Sequence, residues 1–200
     1  MSRIRVHCCA VKRKYELKAR ARRQAETRER IVEAAVALHT SVGPARTTIS
    51  AIAERAGVER HTVYAHFADE RTLFAACSAH WAARHPFPDP DSWRVIDDPQ
   101  SRLRAALRDL YRWYEETERD VAIFRRDAQV HELNAEIIAE DDRKVAELAD
   151  ELARRLPRRK GVRAAIGHAL EFETWRSLVR RQGLTSAQAV DAMLRLVASA

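Results

Sequence analysis

Glycine and proline are scarce in this 200-residue chain, at five and six residues. Long stretches without either exclude an all-β fold, which needs frequent turns, and favour helices. Cysteine is limited to Cys8, Cys9 and Cys77, an odd count that makes no disulfide framework and fits a reducing cytoplasm. No apolar run approaches the roughly 20 residues of a membrane span. Nor is there a signal-peptide core, because Val6 to Val11 is short and Lys12-Arg13-Lys14 closes it. A cytoplasmic protein with no membrane partner is expected. No nucleophile elbow, phosphate loop or paired metal-ligand helix motif is present. Cys77 and His80 stand three apart, and His7-Cys8-Cys9 lies near the N-terminus. Neither has a second matched pair, and a zinc site needs three or four ligands. Catalysis, cofactor and metal are therefore not expected.

Charge is plentiful but uneven. The chain carries 36 basic and 29 acidic residues, a formal net of +7, with 46% hydrophobic residues to build a core. Residues 1–30 hold eleven of the basic groups and three of the acidic ones, a net of +8. That leaves 25 basic and 26 acidic groups for the other 170 residues, a net of −1. A basic arm on a nearly neutral body attracts polyanions such as nucleic acid or anionic lipid, or serves only as a solubilising tail.

Residues 1–22 are expected to form this arm, flexible or partly helical. A periodic helix then begins at Thr27, with Ile31, Ala34, Ala35 and Leu38 on one stripe. Gly43 and Pro44 end it. Thr48 is a good N-cap for a second helix carrying Ile49, Ile52, Ala53 and Ala56, which stops at Gly57. A third short helix follows, Glu59 to about His66, and Asp69 can cap a fourth running to about Ala83. Four of the six prolines fall in His85 to Pro99, a linker or rigid loop. Beyond it the pattern is helical. Leu103 to Tyr114 form one stripe, Val121 to Gln129 a short apolar element, and Val145 to Leu156 another stripe before Pro157. Gly161 to Gln182 has the pattern of one long helix, and Thr185 with Gln188 can box the start of a last one. The expected fold is all-α: an arm over 1–22, a three-helix unit over 23–84, a connecting loop over 85–100 and a helical domain over 101–200.

The segment TTISAIAERAGVERHTVYAHF (47–67) is the informative one. Two short helices meet at a glycine able to adopt a positive φ, with small residues where they approach. That is the pattern of a helix-turn-helix. With Val63 and Phe67 turned inward, Arg60, His61, Thr62, Tyr64 and Ala65 lie on or beside the outer face. Arg60 and His61 stand at the N-terminal end, the part that reaches base edges in such motifs, and arginine can bind guanine bidentately.

From Arg28 through Phe74 the sequence resembles the DNA-binding domain of TetR-type regulators. The resemblance spans residues 24–82 and includes Ile31, Ala34-Ala35, Gly43, Thr47-Thr48, Ile52-Ala53, Ala56-Gly57-Val58, Thr62, Tyr64, His66-Phe67 and Leu73-Phe74. The segment TWRSL (174–178) and the GLT turn after it are also similar. The resemblance implies a homodimer placing its third helices in the major grooves of a near-palindromic operator on double-stranded DNA. It further implies repression relieved by a small-molecule effector bound in the C-terminal domain. By position it makes Thr48 the cap of helix two, and Ser50, Thr62, Tyr64 and His66 phosphate or base contacts beside Arg60 and His61. Where the family often has lysine after the HF turn this chain has Glu70, and Arg71 is the candidate to take over that contact.

In the second part, Tyr111, Trp113, Tyr114, Phe124, Phe172 and Trp175 concentrate the aromatic residues, with His131 and His168 as polar handles. They are the candidate lining of an effector pocket between helices, against ordinary core packing. Val162, Ala165, Ile166 and Ala169, with Val190, Met193, Leu194 and Val197, suit a four-helix dimer interface or burial within the monomer. The alternatives to an operator-specific regulator are a sequence-blind basic DNA-binding protein and a small-molecule carrier or enzyme with a vestigial helix-turn-helix.

Overall fold

The structure is a computed structural model and describes residues 5–157, 159 and 161–200, with side chains from residue 18 onward. The side chains of His7-Cys8-Cys9, and Arg158 and Lys160 of the basic run after Pro157, lie outside the described residues. Among the described residues there is no strand, and no helix is long and apolar enough to cross a membrane. The chain divides into two compact units, Met1–Trp81 and Ala82–Ala200.

The first unit begins with α1 (Arg5–His39), followed by a 3-10 turn (Pro44–Arg46), α2 (Ile49–Ala56), α3 (Arg60–His66) and α4 (Glu70–Arg84). The helix expected to start at Thr27 therefore begins at Arg5 and takes in most of the segment read as an arm. No glycine or proline interrupts it, and the Arg22–Glu26 pair, four apart at 2.7 Å, supports it on the exposed face. The core under this unit joins Ile31, Val32, Ala34 and Ala35 of α1, Ile52, Ala53 and Ala56 of α2, and Val63, Phe67, Leu73 and Cys77. Burial pushes the Cys77 thiol up to about 12, so it stays protonated and unreactive at neutral pH.

The second unit holds a short α5 (Asp91–Arg94), then α6 (Pro99–Asp127), α7 (Glu132–Ala153), α8 (Val162–Leu170), α9 (Phe172–Arg176) and α10 (Ser186–Ser199). The Pro-rich loop is packed down around α5. Trp93 is buried and donates to Asp109 at 3.0 Å, and buried Arg102 donates to the carbonyls of Arg94 and Ile96. Asp98 caps α6 by accepting from the Ser101 amide, with Pro99 in the first turn where its missing N–H costs nothing. The apolar element after Val121 is the end of α6, since no helix breaker separates it from Tyr114. The capping box at Thr185 and Gln188 is complete, at 3.2 and 2.9 Å.

The long helix expected over Gly161 to Gln182 is broken. Glu171 is extended (φ −70°, ψ 138°), ending α8 and starting α9, which passes into a π-helical turn over Ser177–Arg181. The break leaves helix-end carbonyls without amide partners, and α6 supplies them. The Tyr111 hydroxyl donates to the Ala169 carbonyl at 2.8 Å and the Tyr114 hydroxyl to the Leu170 carbonyl at 2.7 Å, both buried. Periodicity could not show this, because the partners lie more than fifty residues away. Tyr114→Phe keeps the ring and removes one donor, leaving the Leu170 carbonyl buried and unpaired. It should lower stability by about 1–3 kcal/mol, measured as a reduced urea midpoint at unchanged m-value.

Candidate functional site

The turn between α2 and α3 is built on Gly57, whose φ of 65° and ψ of 42° are left-handed. Its amide donates to the Glu54 carbonyl and that of Val58 to the Ala53 carbonyl, at 3.1 and 3.0 Å. These bonds close α2 in a Schellman motif. Thr48 caps the other end, accepting from the Ala51 amide at 3.2 Å. From this turn α3 runs for seven residues with only Val63 and its C-cap Phe67 buried.

On the opposite side, Arg60, His61, Tyr64 and Ala65 are exposed, and Thr62 and His66 are half-buried. The Arg60 guanidinium lies 5.8 Å from the Tyr64 ring centroid, with Nη2 3.5 Å from the Tyr64 hydroxyl. That hydroxyl raises the guanidinium above its ordinary value, and the ring holds the planar fork beside it. Ser50, near the start of α2, is exposed, as is Arg71 in the first turn of α4. Thr48 is exposed but its oxygen already serves as the cap. Asp69 caps α4 through the Thr72 amide and hydroxyl, both at 2.7 Å, and the Thr72 hydroxyl holds its carboxyl below the usual range.

Two cations counted as part of the basic N-terminus are structural. Arg30 donates to the Ala56 carbonyl at 3.2 Å, at the C-terminal end of α2 where a cation is favoured. Arg28 places its guanidinium 4.6 Å from the Phe67 ring centroid. The signal was in the spacing: Arg28 precedes Ile31 by three and Arg30 precedes Ala34 by four, so both lie beside the buried stripe. Arg46 and Arg55, not among the expected contacts, are exposed cations in this unit.

Residues 31–77 match the family model for bacterial regulatory proteins of the tetR family. The chain carries a TetR-family helix-turn-helix domain. No protein of curated function matches the sequence significantly. Among solved structures, a TetR-like transcriptional regulator from Rhodococcus sp. RHA1 is 20% identical with a TM-score of 0.60, over 86% of this chain and 93% of that one. NalD of Pseudomonas aeruginosa, the secondary repressor of the MexAB-OprM multidrug efflux pump, is 21% identical with a TM-score of 0.57, over 88% and 96%. A TetR transcription regulator from Haloarcula marismortui is 16% identical with a TM-score of 0.57, over 88% and 96%. At these identities the likeness is one of fold, and it extends over the helical unit that follows the TetR-family domain.

In that unit the aromatic residues mostly serve as packing. Tyr111 and Trp175 are fully buried, and Tyr114, Phe172 and Trp175 stack with centroids 5.3–5.8 Å apart. Trp113 donates to the His85 carbonyl, and His131 caps α7 by accepting from the Asn134 amide. His168 is exposed beside Thr174 and Glu171. A cleft of about 310 Å³ between α6, α7, α8 and α9 takes only Tyr114 and Phe172 from the expected lining; Trp113, Phe124, His131 and His168 lie outside it. The cleft's other walls include Val145, Leu170 and the Arg125–Asp142 pair, 2.5 Å apart. Arg125 Nε is buried without a partner, a donor left over for something else. A second opening of about 330 Å³, beside Arg104, Leu156 and Val197, has no such unpaired group among the described residues.

The residues expected at a dimer interface or within the monomer divide by burial. Val162, Ile166 and Ala169 of α8 and Val190, Met193 and Val197 of α10 are buried within the chain, because α8 and α10 pack on each other and on α6. Ala165 and Leu194 are half-buried, while Ala164 of α8 and Ala187, Leu196 and Ala198 of α10 are exposed, Leu196 being the large one among them.

Gly57→Ala isolates the turn that sets α3. A Cβ there meets nothing closer than Arg30 Nη1 at 3.9 Å, so the cost is conformational. A loss of about 1–2 kcal/mol is expected, read from equilibrium unfolding of the full chain.

Proposed function

We propose that this TetR-family protein is a sequence-specific transcription repressor that binds a near-palindromic operator as a homodimer and leaves it when a small molecule binds the helical unit. The observation that carries the reading is the outward side of α3. Arg60 and His61 stand at its N-terminal end, Tyr64 steadies the Arg60 fork, and only Val63 and Phe67 face the core. Arg60 reads a base edge, guanine by geometry. Ser50, Thr62, Tyr64, His66 and Arg71 hold the phosphate backbone and set the register, and the Thr48 cap fixes where α2 begins. Two such heads must match half-sites about one helical turn apart, roughly 34–36 Å, or a multiple of it. An effector that shifts the heads by a few ångströms prevents simultaneous docking.

The effector site is the cleft beside Tyr114 and Phe172, with the free Arg125 Nε as its anchoring donor. The dimer surface is drawn from the exposed positions of α8 and α10, Ala164 and Leu196 with half-buried Ala165, in place of the interior residues beneath them.

Footprinting on the DNA upstream of its own gene supplies the site for the test. On that site Arg60→Ala should cost about 1–3 kcal/mol and relax the preference over an unrelated duplex, while Tyr64→Ala should weaken binding to both duplexes. Equal affinity of the wild type for all duplexes, or unchanged affinity in both variants, refutes the reading and favours sequence-blind binding. Leu196→Glu should shift the chain from dimer toward monomer in sedimentation velocity and weaken operator binding with it.

A further inference from the structure

We propose that Glu29, Glu33 and His80 form a binding site for a first-row divalent metal ion, with zinc the best suited, that ties α4 to α1 inside the DNA-binding unit. Glu29 and Glu33 stand four apart on α1 and so share one face. His80 faces them from α4. One donor atom from each lies within 4.8 Å of the others, and His80 Nδ1 is already 3.3 Å from a Glu29 carboxylate oxygen. The imidazole is held in place, its side chain only 16% exposed, whereas the Glu29 side chain is 56% exposed and retains torsional freedom.

Zinc binds carboxylate oxygen and imidazole nitrogen at about 2.0–2.2 Å, which puts tetrahedral ligands about 3.4 Å apart. Closing the present spacing to that value takes small rotations of two surface side chains. Two carboxylates and a neutral imidazole sum to −2, the complement of a divalent ion. They also repel each other while no cation stands between them. A mixed nitrogen and oxygen set favours zinc, nickel or iron over magnesium and calcium, which prefer all-oxygen shells. Three protein ligands leave a position for water. Glu33 has other contacts as well, so the ion exchanges existing partners for stronger ones.

The sequence hid this site because its histidine and its carboxylates come from helices some fifty residues apart. Cys77, three residues before His80, is interior and takes no part.

Calorimetric titration of the full chain with zinc chloride tests the proposal. One equivalent should bind with micromolar or tighter affinity, raise the unfolding temperature by mass action, and be unaffected by excess magnesium. Glu29→Gln with Glu33→Gln, surface changes that leave the core untouched, should weaken binding at least tenfold. Cys8→Ser with Cys9→Ser should leave it unchanged, and bound cobalt should show ligand-field bands without a thiolate charge-transfer band. The proposal is overturned by absent binding, by binding that survives the glutamine changes, or by binding lost with the N-terminal cysteines.

Discussion

A helix of seven residues cannot hold itself in place. Isolated helices shorter than about 12–15 residues are marginal in water, so α3 exists only because its inner side is gripped. Val63 and Phe67 supply that grip. Fully burying side chains of this size contributes about 1.5–3 kcal/mol each, enough to orient two turns of helix against the stripe of Ile31 and Ala35 and the floor of α2. Gly57 sets the angle of entry and Arg28 covers the Phe67 ring from outside. Every residue left over on α3 is then displayed, and the functional proposal depends on that display.

The second unit meets a comparable difficulty by different means. Ending α8 at Leu170 inside the protein strands carbonyls that water cannot reach, and an unpaired buried carbonyl is costly. Two tyrosine hydroxyls from consecutive turns of α6 satisfy them. One of the two, Tyr114, also stacks with Phe172 and Trp175 and, with Phe172, lines the cleft that Arg125 borders. Packing, helix termination and the candidate effector site thus share a handful of side chains.

Much of this was legible from local pattern. Short-range signals carried the helix-turn-helix: the stripe at Ile31, the Thr48 and Asp69 caps, and the left-handed glycine. All are local rules about dihedrals and orphan amides. The box at Thr185 was legible for the same reason. What escaped depends on distant partners. The break at Glu171 is stabilised by α6, and the burial of Val162, Ile166 and Val190 by which helices happen to surround α8 and α10. An apolar face looks the same in sequence whether its partner is a second subunit or the chain's own interior. The aromatic residues posed that ambiguity too, and most of them proved to be interior.

Arg28 and Arg30 make the basic N-terminal region two populations of cations under different pressures. Neutral drift at exposed Lys18, Arg20 or Arg23 alters how strongly the chain is drawn to a polyanion, and other charges compensate. The same drift at Arg28 or Arg30 loosens the scaffold beneath α3, and no charge placed elsewhere restores a ring contact or a helix-end bond. Related chains are free to lose net charge in this stretch while keeping these two arginines.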